Sequence, residues 1–87
     1  MKWFYTYVLK SEIDQSWYIG YTEDLDRRLH EHNSGRSFTT KKKIPWIIIY
    51  YESCLSKDDA IAREKYLKSG MGRRYLKNRL KNQFLTG

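Results

Sequence analysis

Residues 17–33, WYIGYTEDLDRRLHEHN, pass from an aromatic, β-favouring run into a helix with only a glycine and a short turn between them. Trp17, Tyr18 and Ile19 suit a pleated surface. From Leu25 the spacing becomes helical and puts Leu25, Leu29 and His32 on one face. Thr22 is the expected N-cap, Glu23 and Asp24 bring negative charge to the first turn, and the NSG at 33–35 ends the helix. Arg28 and His32, four residues apart, are neighbours along one edge of it.

Upstream, KWFYTYVLK at 2–10 alternates Trp3, Tyr5, Tyr7 and Leu9 with Phe4, Thr6 and Val8, so both faces are largely apolar or aromatic and a central strand is predicted. The polar SEIDQS between the two strands implies a hairpin with a medium-length loop. Downstream, the basic GRSFTTKKK at 35–43 reads as a loop, closed by Pro45 before a third strand in WIIIYYE. Ser56 opens a second helix through SKDD, which ends near Ser69 and Gly70. Ala60, Ile61 and Leu67 form its apolar stripe, with Glu64 on or beside it. In the tail, Tyr75, Leu76, Leu80 and Phe84 share one face of a third helix. The expected fold is α+β: a small three-stranded antiparallel sheet flanked by helices, in the order β-β-α-β-α-α, as a single domain over residues 1–87.

Hydrophobic residues make up 40% and aromatics 16% of the 87, a folded rather than a disordered composition. Seventeen Lys and Arg against ten Asp and Glu give a formal charge of +7, a field that favours a polyanionic partner, nucleic acid first. No run approaches the roughly 18 apolar residues of a spanning helix. With one cysteine, Cys54, no internal disulfide can form, and a cytoplasmic setting is expected.

Several residue types invite chemistry, each with a bland alternative. His30, His32 and Cys54 do not make a zinc set, because a His-x-His pair on a helix points its rings about 200° apart and a lone thiolate does not complete a tetrahedron. A carboxylate such as Glu64 on an apolar face must be paired or must hold a cation, and Arg63 and Lys68 stand close in sequence as ion-pair candidates. Eight tyrosines in a small sheet protein are mostly core and rim residues. Helical arginines such as Arg28 are mostly solvated.

Taken together, Tyr5-Thr6-Tyr7, then Tyr18-Ile19-Gly20, Arg28 eight residues beyond that glycine, and Glu64 in AIAREKYLKSG resemble the GIY-YIG nuclease domain, in particular its small stand-alone bacterial members grouped with the excinuclease-C (URI) nuclease domain. The likeness runs from about Trp3 to Leu80 and includes HNSG…TT…P and IIIYYE. Tyr5 and Thr6 stand where the family name has Gly and Ile, and Tyr7 keeps the tyrosine.

This resemblance implies an endonuclease that hydrolyses a DNA phosphodiester with an activated water and one divalent metal, Mg²⁺ or Mn²⁺. Arg28 would clamp the phosphate, its planar fork suiting phosphate oxygens. Glu64 would be the metal ligand, an arrangement normal for an ion that keeps waters and phosphate in its shell. Tyr7 or Tyr18 would be the general base and the other would orient water or phosphate; a free phenol, with a pKa of about 10, needs help in that role. His32 matches a position that assists catalysis or touches phosphate, and Asn78 resembles an asparagine near some members' sites. Arg36, Lys41, Lys42, Lys43, Arg73 and Arg74 would grip backbone phosphates, contacts that give affinity with little sequence reading. Targeting would fall to DNA shape or to a protein partner. The competing readings are a nucleic-acid-binding module that cleaves nothing and, more remotely, an RNA-binding tyrosine-rich sheet. The full residue set favours the nuclease.

Overall fold

A computed structural model describes residues 1–86, with side chains through Gln83. Three strands form one antiparallel sheet: β1 (Phe4–Ser11), β2 (Trp17–Thr22) and β3 (Trp46–Cys54), in the order β2-β1-β3. β1 is central, as its two apolar faces require, and Thr6 through Ser11 are all buried. Among the described residues there are four α-helices: α1 (Leu25–Asn33) between β2 and β3, then α2 (Lys57–Lys68), α3 (Gly70–Arg79) and α4 (Lys81–Thr86).

Alternation along β1 divides the core into two layers. Tyr7 and Leu9 join Trp46 on the side that receives Leu25 and Leu29 of α1. Val8 packs with Ile19, Leu67 and Leu76 on the other side, beneath α2 and α3. Each fully buried aliphatic of this kind contributes about 1.5–3 kcal/mol. The polar groups caught in these layers are satisfied: Thr6 Oγ1 donates to the Ala60 carbonyl at 2.8 Å and Lys10 Nζ to the Gln83 carbonyl at 3.2 Å.

Two expectations need correcting. The N-cap of α1 is Asp24, whose carboxylate accepts from Arg27 N at 3.1 Å; Thr22 instead accepts from Asp24 N, also at 3.1 Å. Thr22 is still paired with Tyr5 in the ladder, so the chain needs two more residues before it can turn. The tail is two helices rather than one, broken at Leu80, whose backbone leaves helical geometry (φ −113°, ψ 34°). The side chain of Phe84 lies outside the described residues.

Ser56 caps α2 as expected, accepting from Asp59 N. At the far end one residue serves two helices. Ser69 Oγ donates to the Tyr66 carbonyl at 2.6 Å and accepts from Gly72 N at 3.2 Å, joining the end of α2 to the start of α3. Gly72 allows this close joint, because a Cβ there would run into the Tyr66 carbonyl oxygen and the Leu67 Cα.

Candidate active site at the β2 edge

Tyr7 points from the central strand toward α1, and its phenol runs across the neighbouring edge strand at Gly20, its register partner. A Cβ on Gly20 would stand 2.5 Å from the Tyr7 hydroxyl and 2.6 Å from Cζ, so the glycine of YIG is the space through which the phenol passes. The Tyr7 hydroxyl meets His32 Nε2 at 3.0 Å, and His32 Nδ1 meets Thr40 Oγ1 at 2.7 Å. All three side chains are deeply buried, with exposures of 2% for Tyr7, 0% for His32 and 1% for Thr40.

The frame around them is tied at both ends of the basic loop. Asn33 Nδ2 donates to the Trp46 carbonyl at 3.0 Å and Trp46 N donates to Asn33 Oδ1 at 2.7 Å, so the end of α1 is held like a strand neighbour against the start of β3. Trp46 Nε1 donates to the Thr40 carbonyl at 2.9 Å, which fixes Thr40 in mid-loop. Pro45, expected to close the loop, follows a cis peptide bond.

Tyr18, half-buried, lays its ring edge-on to His32 with centroids 5.0 Å apart, and packs beside Tyr7 and Trp46. Arg28, also half-buried, pairs with Glu31 at 3.0 Å. A partly exposed i,i+3 pair of this kind is weak enough for a phosphate to displace.

Burial decides the protonation of the cluster. It pushes Tyr7 up to about 12, against the pull of Arg28. It also pushes His32 down to about 4, with the Arg28 charge adding to the effect. At neutral pH the cluster is a neutral phenol and a neutral imidazole beside one guanidinium. His32, with both ring nitrogens engaged, has none left for a phosphate and acts on the site through Tyr7. His30 is exposed on α1, away from this network.

Glu64 comes from α2, on the opposite face of the sheet, yet its charge is felt at Tyr7, where it raises the phenol's pKa. It is 21% exposed and pairs with Lys68 at 2.8 Å. Arg63, the other ion-pair candidate, is engaged by Glu52 through two bonds of 2.9 and 3.0 Å. Among the described residues no group of three His, Cys, Asp or Glu side chains could hold a metal. An ion at this site would rest on the Glu64 carboxylate, with water and substrate completing its shell, which is compatible with Mg²⁺ or Mn²⁺ and poorly suited to zinc.

The remaining basic residues separate. Arg36, Lys41 and Lys42 are exposed on the loop. Lys43 pairs with Asp14 at 3.2 Å and ties the loop to the β1–β2 turn. Arg73 and Arg74 are exposed on α3, in the other layer, as is Asn78. Thr40, Asn33 and Trp46 are not singled out as site residues by the sequence; HNSG…TT…P includes the first two without showing that they meet.

A model of the GIY-YIG catalytic domain matches residues 3–81. The chain belongs to the GIY-YIG family. It is similar to a UPF0213 protein of Streptococcus pneumoniae serotype 4, 45% identical over 65 residues, covering 74% of this chain and 65% of that one. It also resembles the UPF0213 protein YazA of Bacillus subtilis, 43% identical over 63 residues, covering 71% of this chain and 63% of that one. The matched stretch thus spans slightly less than two thirds of the length of these relatives. The solution NMR structure of the UPF0213 protein BH0048 from Bacillus halodurans superposes with a TM-score of 0.55 at 32% identity, covering 90% of this chain and 85% of that one. The three-stranded sheet with flanking helices is therefore a GIY-YIG fold. No helix among the described residues is long and apolar enough to cross a membrane.

The GIY-YIG site makes a local prediction. Gly20→Ala is expected to displace the Tyr7 phenol and break its bond to His32. Stability should fall by about 1–2 kcal/mol, because the obstructing atom is the far end of a side chain, whereas any tyrosine-dependent activity should fall much further. A melting curve and a rate measured on one preparation check this; an unchanged rate would detach Tyr7 from the chemistry.

Proposed function

We propose that this chain is a metal-dependent endonuclease that hydrolyses DNA phosphodiester bonds at the β2 edge. The observation that carries the reading is the Tyr7 hydroxyl, held 3.0 Å from buried His32 on α1, the helix that also bears Arg28 one turn earlier.

Arg28 binds the phosphate, offering paired donors where negative charge accumulates on the oxygens. Tyr7 is the tyrosine better suited to take the water's proton, because its hydroxyl is already held by a ring nitrogen and the Arg28 charge opposes the rise that burial gives its pKa; half-buried Tyr18 orients the water or the phosphate. His32 and Thr40 are positioning residues that fix the Tyr7 oxygen. Glu64 is the carboxylate available to Mg²⁺ or Mn²⁺, and Lys68 releases it on loading. A bound ion supplies charge neutralisation at the phosphate oxygens. Arg36, Lys41, Lys42, Arg73 and Arg74 hold flanking phosphates and make affinity fall with salt. The setting is cytoplasmic and the whole chain acts as one domain.

The test is cleavage of supercoiled plasmid, single-stranded DNA and branched DNA with Mg²⁺, Mn²⁺ or EDTA. Cleavage that needs the metal supports the reading. Its rate should climb with pH, close to tenfold per unit while chemistry limits, because Tyr7 is protonated below about 12 and only its ionised fraction can act as base. A rate flat from pH 7 to 9 counts against Tyr7 as the base. The second reading, a DNA-binding module without cleavage, is favoured by the Glu64–Lys68 pair, which gives the carboxylate a structural reason to be there. It predicts salt-sensitive binding with intact plasmid under every metal condition.

A further inference from the structure

The basic loop holds out a ring that the site does not use. Phe38 is 83% exposed, in a segment, SGRSFTTKKKIP at 34–45, with four bases and no acid. Its neighbours impose this exposure. Ser37 and Thr40 are buried, and Thr40 N and Lys41 N both donate to the Ser37 carbonyl, at 3.2 and 3.1 Å, so a closed turn anchored at both ends presents Phe38 outward. Thr40 is in turn bonded to His32, and two residues of chain span at most about 7 Å, so the ring rides on the frame that positions Tyr7. Its surroundings are charged rather than apolar. Lys41 Nζ stands over one face of the ring, 4.8 Å from the centroid, and the high exposure leaves the opposite face open. Among the described residues Lys43 is the one loop cation held in a salt bridge, with Asp14, which leaves Arg36, Lys41 and Lys42 to meet an outside anion.

From this arrangement we infer that Phe38 is a stacking platform for one unpaired DNA base, with the adjoining phosphates on Arg36, Lys41 and Lys42. The inference rests on the nucleic-acid reading above and narrows it to a substrate class: duplex carrying a single-stranded segment. An exposed aromatic among cations is how proteins hold single strands, since every base has a face to stack and every phosphate a charge. The ammonium over the ring makes the choice sharper. A side chain wedged between two stacked bases uses both of its faces; with Lys41 on one, Phe38 can end a stack but not interrupt it. An unpaired base can come down on the open face, whereas the bases of a continuous duplex are already stacked on one another. An apolar protein partner would be met by a patch of apolar neighbours, and here the neighbours are cations.

The experiment is fluorescence anisotropy in EDTA, so that no cleavage intervenes, with three labelled DNAs: blunt duplex, the same duplex with a short single-stranded flap, and that duplex with an abasic flap. Wild type should bind the flapped duplex about tenfold more tightly than either of the others. Phe38→Ala should remove this preference, Phe38→Leu, apolar but without a π-face, should remove it too, and Phe38→Trp should keep it. All three change an exposed side chain and should leave the melting temperature as it is. Lys41→Gln with Lys42→Gln should weaken binding to all three DNAs and flatten its salt dependence. Equal affinity of wild type for the three DNAs overturns the Phe38 platform while leaving the nucleic-acid reading standing. So does a flap preference that survives in Phe38→Ala, and so does a wild-type dimer in sedimentation that Phe38→Ala dissolves, which would assign the ring to contact between copies. Failure to bind any of the three at low salt overturns both.

Discussion

Glu64→Ala is expected to lower metal-dependent cleavage by about 10³-fold while leaving DNA affinity within about a factor of two. Separate effects are expected because Glu64 is a carboxylate in a strongly basic chain: it repels DNA, and its removal takes one negative charge from a protein of net +7 and frees Lys68. Binding should hold or tighten slightly while the rate collapses. Arg28→Ala should lower the rate comparably but also weaken binding, since a guanidinium in the proposed role would contact phosphate in the ground state as well as the transition state. Arg28→Lys should restore part of the affinity and little of the rate, because a point charge does not reproduce the planar fork. Single-turnover cleavage beside anisotropy, for all three variants, gives both numbers. Equal turnover by Glu64→Ala and wild type would remove Glu64 as metal ligand. Loss of binding in step with rate would instead indicate a general unfolding of the site.

The second large effect concerns stability. Gly72→Ala should cost about 2–3 kcal/mol, equivalent to roughly 10–20 °C in melting temperature for a domain of this size. Unlike Gly20, whose neighbour is the movable end of a phenol, Gly72 faces backbone atoms of Tyr66 and Leu67 that cannot shift without opening the α2–α3 joint. That joint seats Leu67 and Leu76 against β1, so the damage reaches the core. Ser69→Ala, which removes the shared cap but adds no atoms, should cost only about 1 kcal/mol. Thermal melts of the two variants check the contrast. If Ser69→Ala proved as damaging as Gly72→Ala, the hydroxyl rather than the close approach would hold the joint.

Much of this architecture is legible in the residues themselves, where period and polarity agree. β1 announces itself by being apolar on both faces and is the strand with a neighbour on each side; the stretch at 17–33 yields β2 and α1 from a change of spacing. Thr22 misleads because a cap is decided by where the ladder releases the chain, which the hydroxyl alone does not tell. The break at Leu80 has no glycine or proline to mark it. At the site, Tyr7, Tyr18, Arg28 and His32 are readable as a set, and the structure brings them together. Burial depth is not readable. His32 looks like an available imidazole in sequence, yet it is sealed and held neutral between Tyr7 and Thr40. Thr40 itself is invisible as a site residue until the loop's path brings it back to α1.

The two hydrogen bonds between Asn33 and Trp46 carry a consequence for how this protein can change. They clamp the base of the segment spanning residues 34–45, so its length is set neither by α1 nor by β3. Lengthening a clamped segment is thermodynamically inexpensive, about 0.6 kcal/mol for each doubling. Insertions on either side of Thr40 would therefore leave the buried Tyr7–His32 pair untouched while re-shaping the basic surface proposed to meet nucleic acid. The buried cluster and the basic loop are in this way mechanically separable, with one threonine as the fixed point between them.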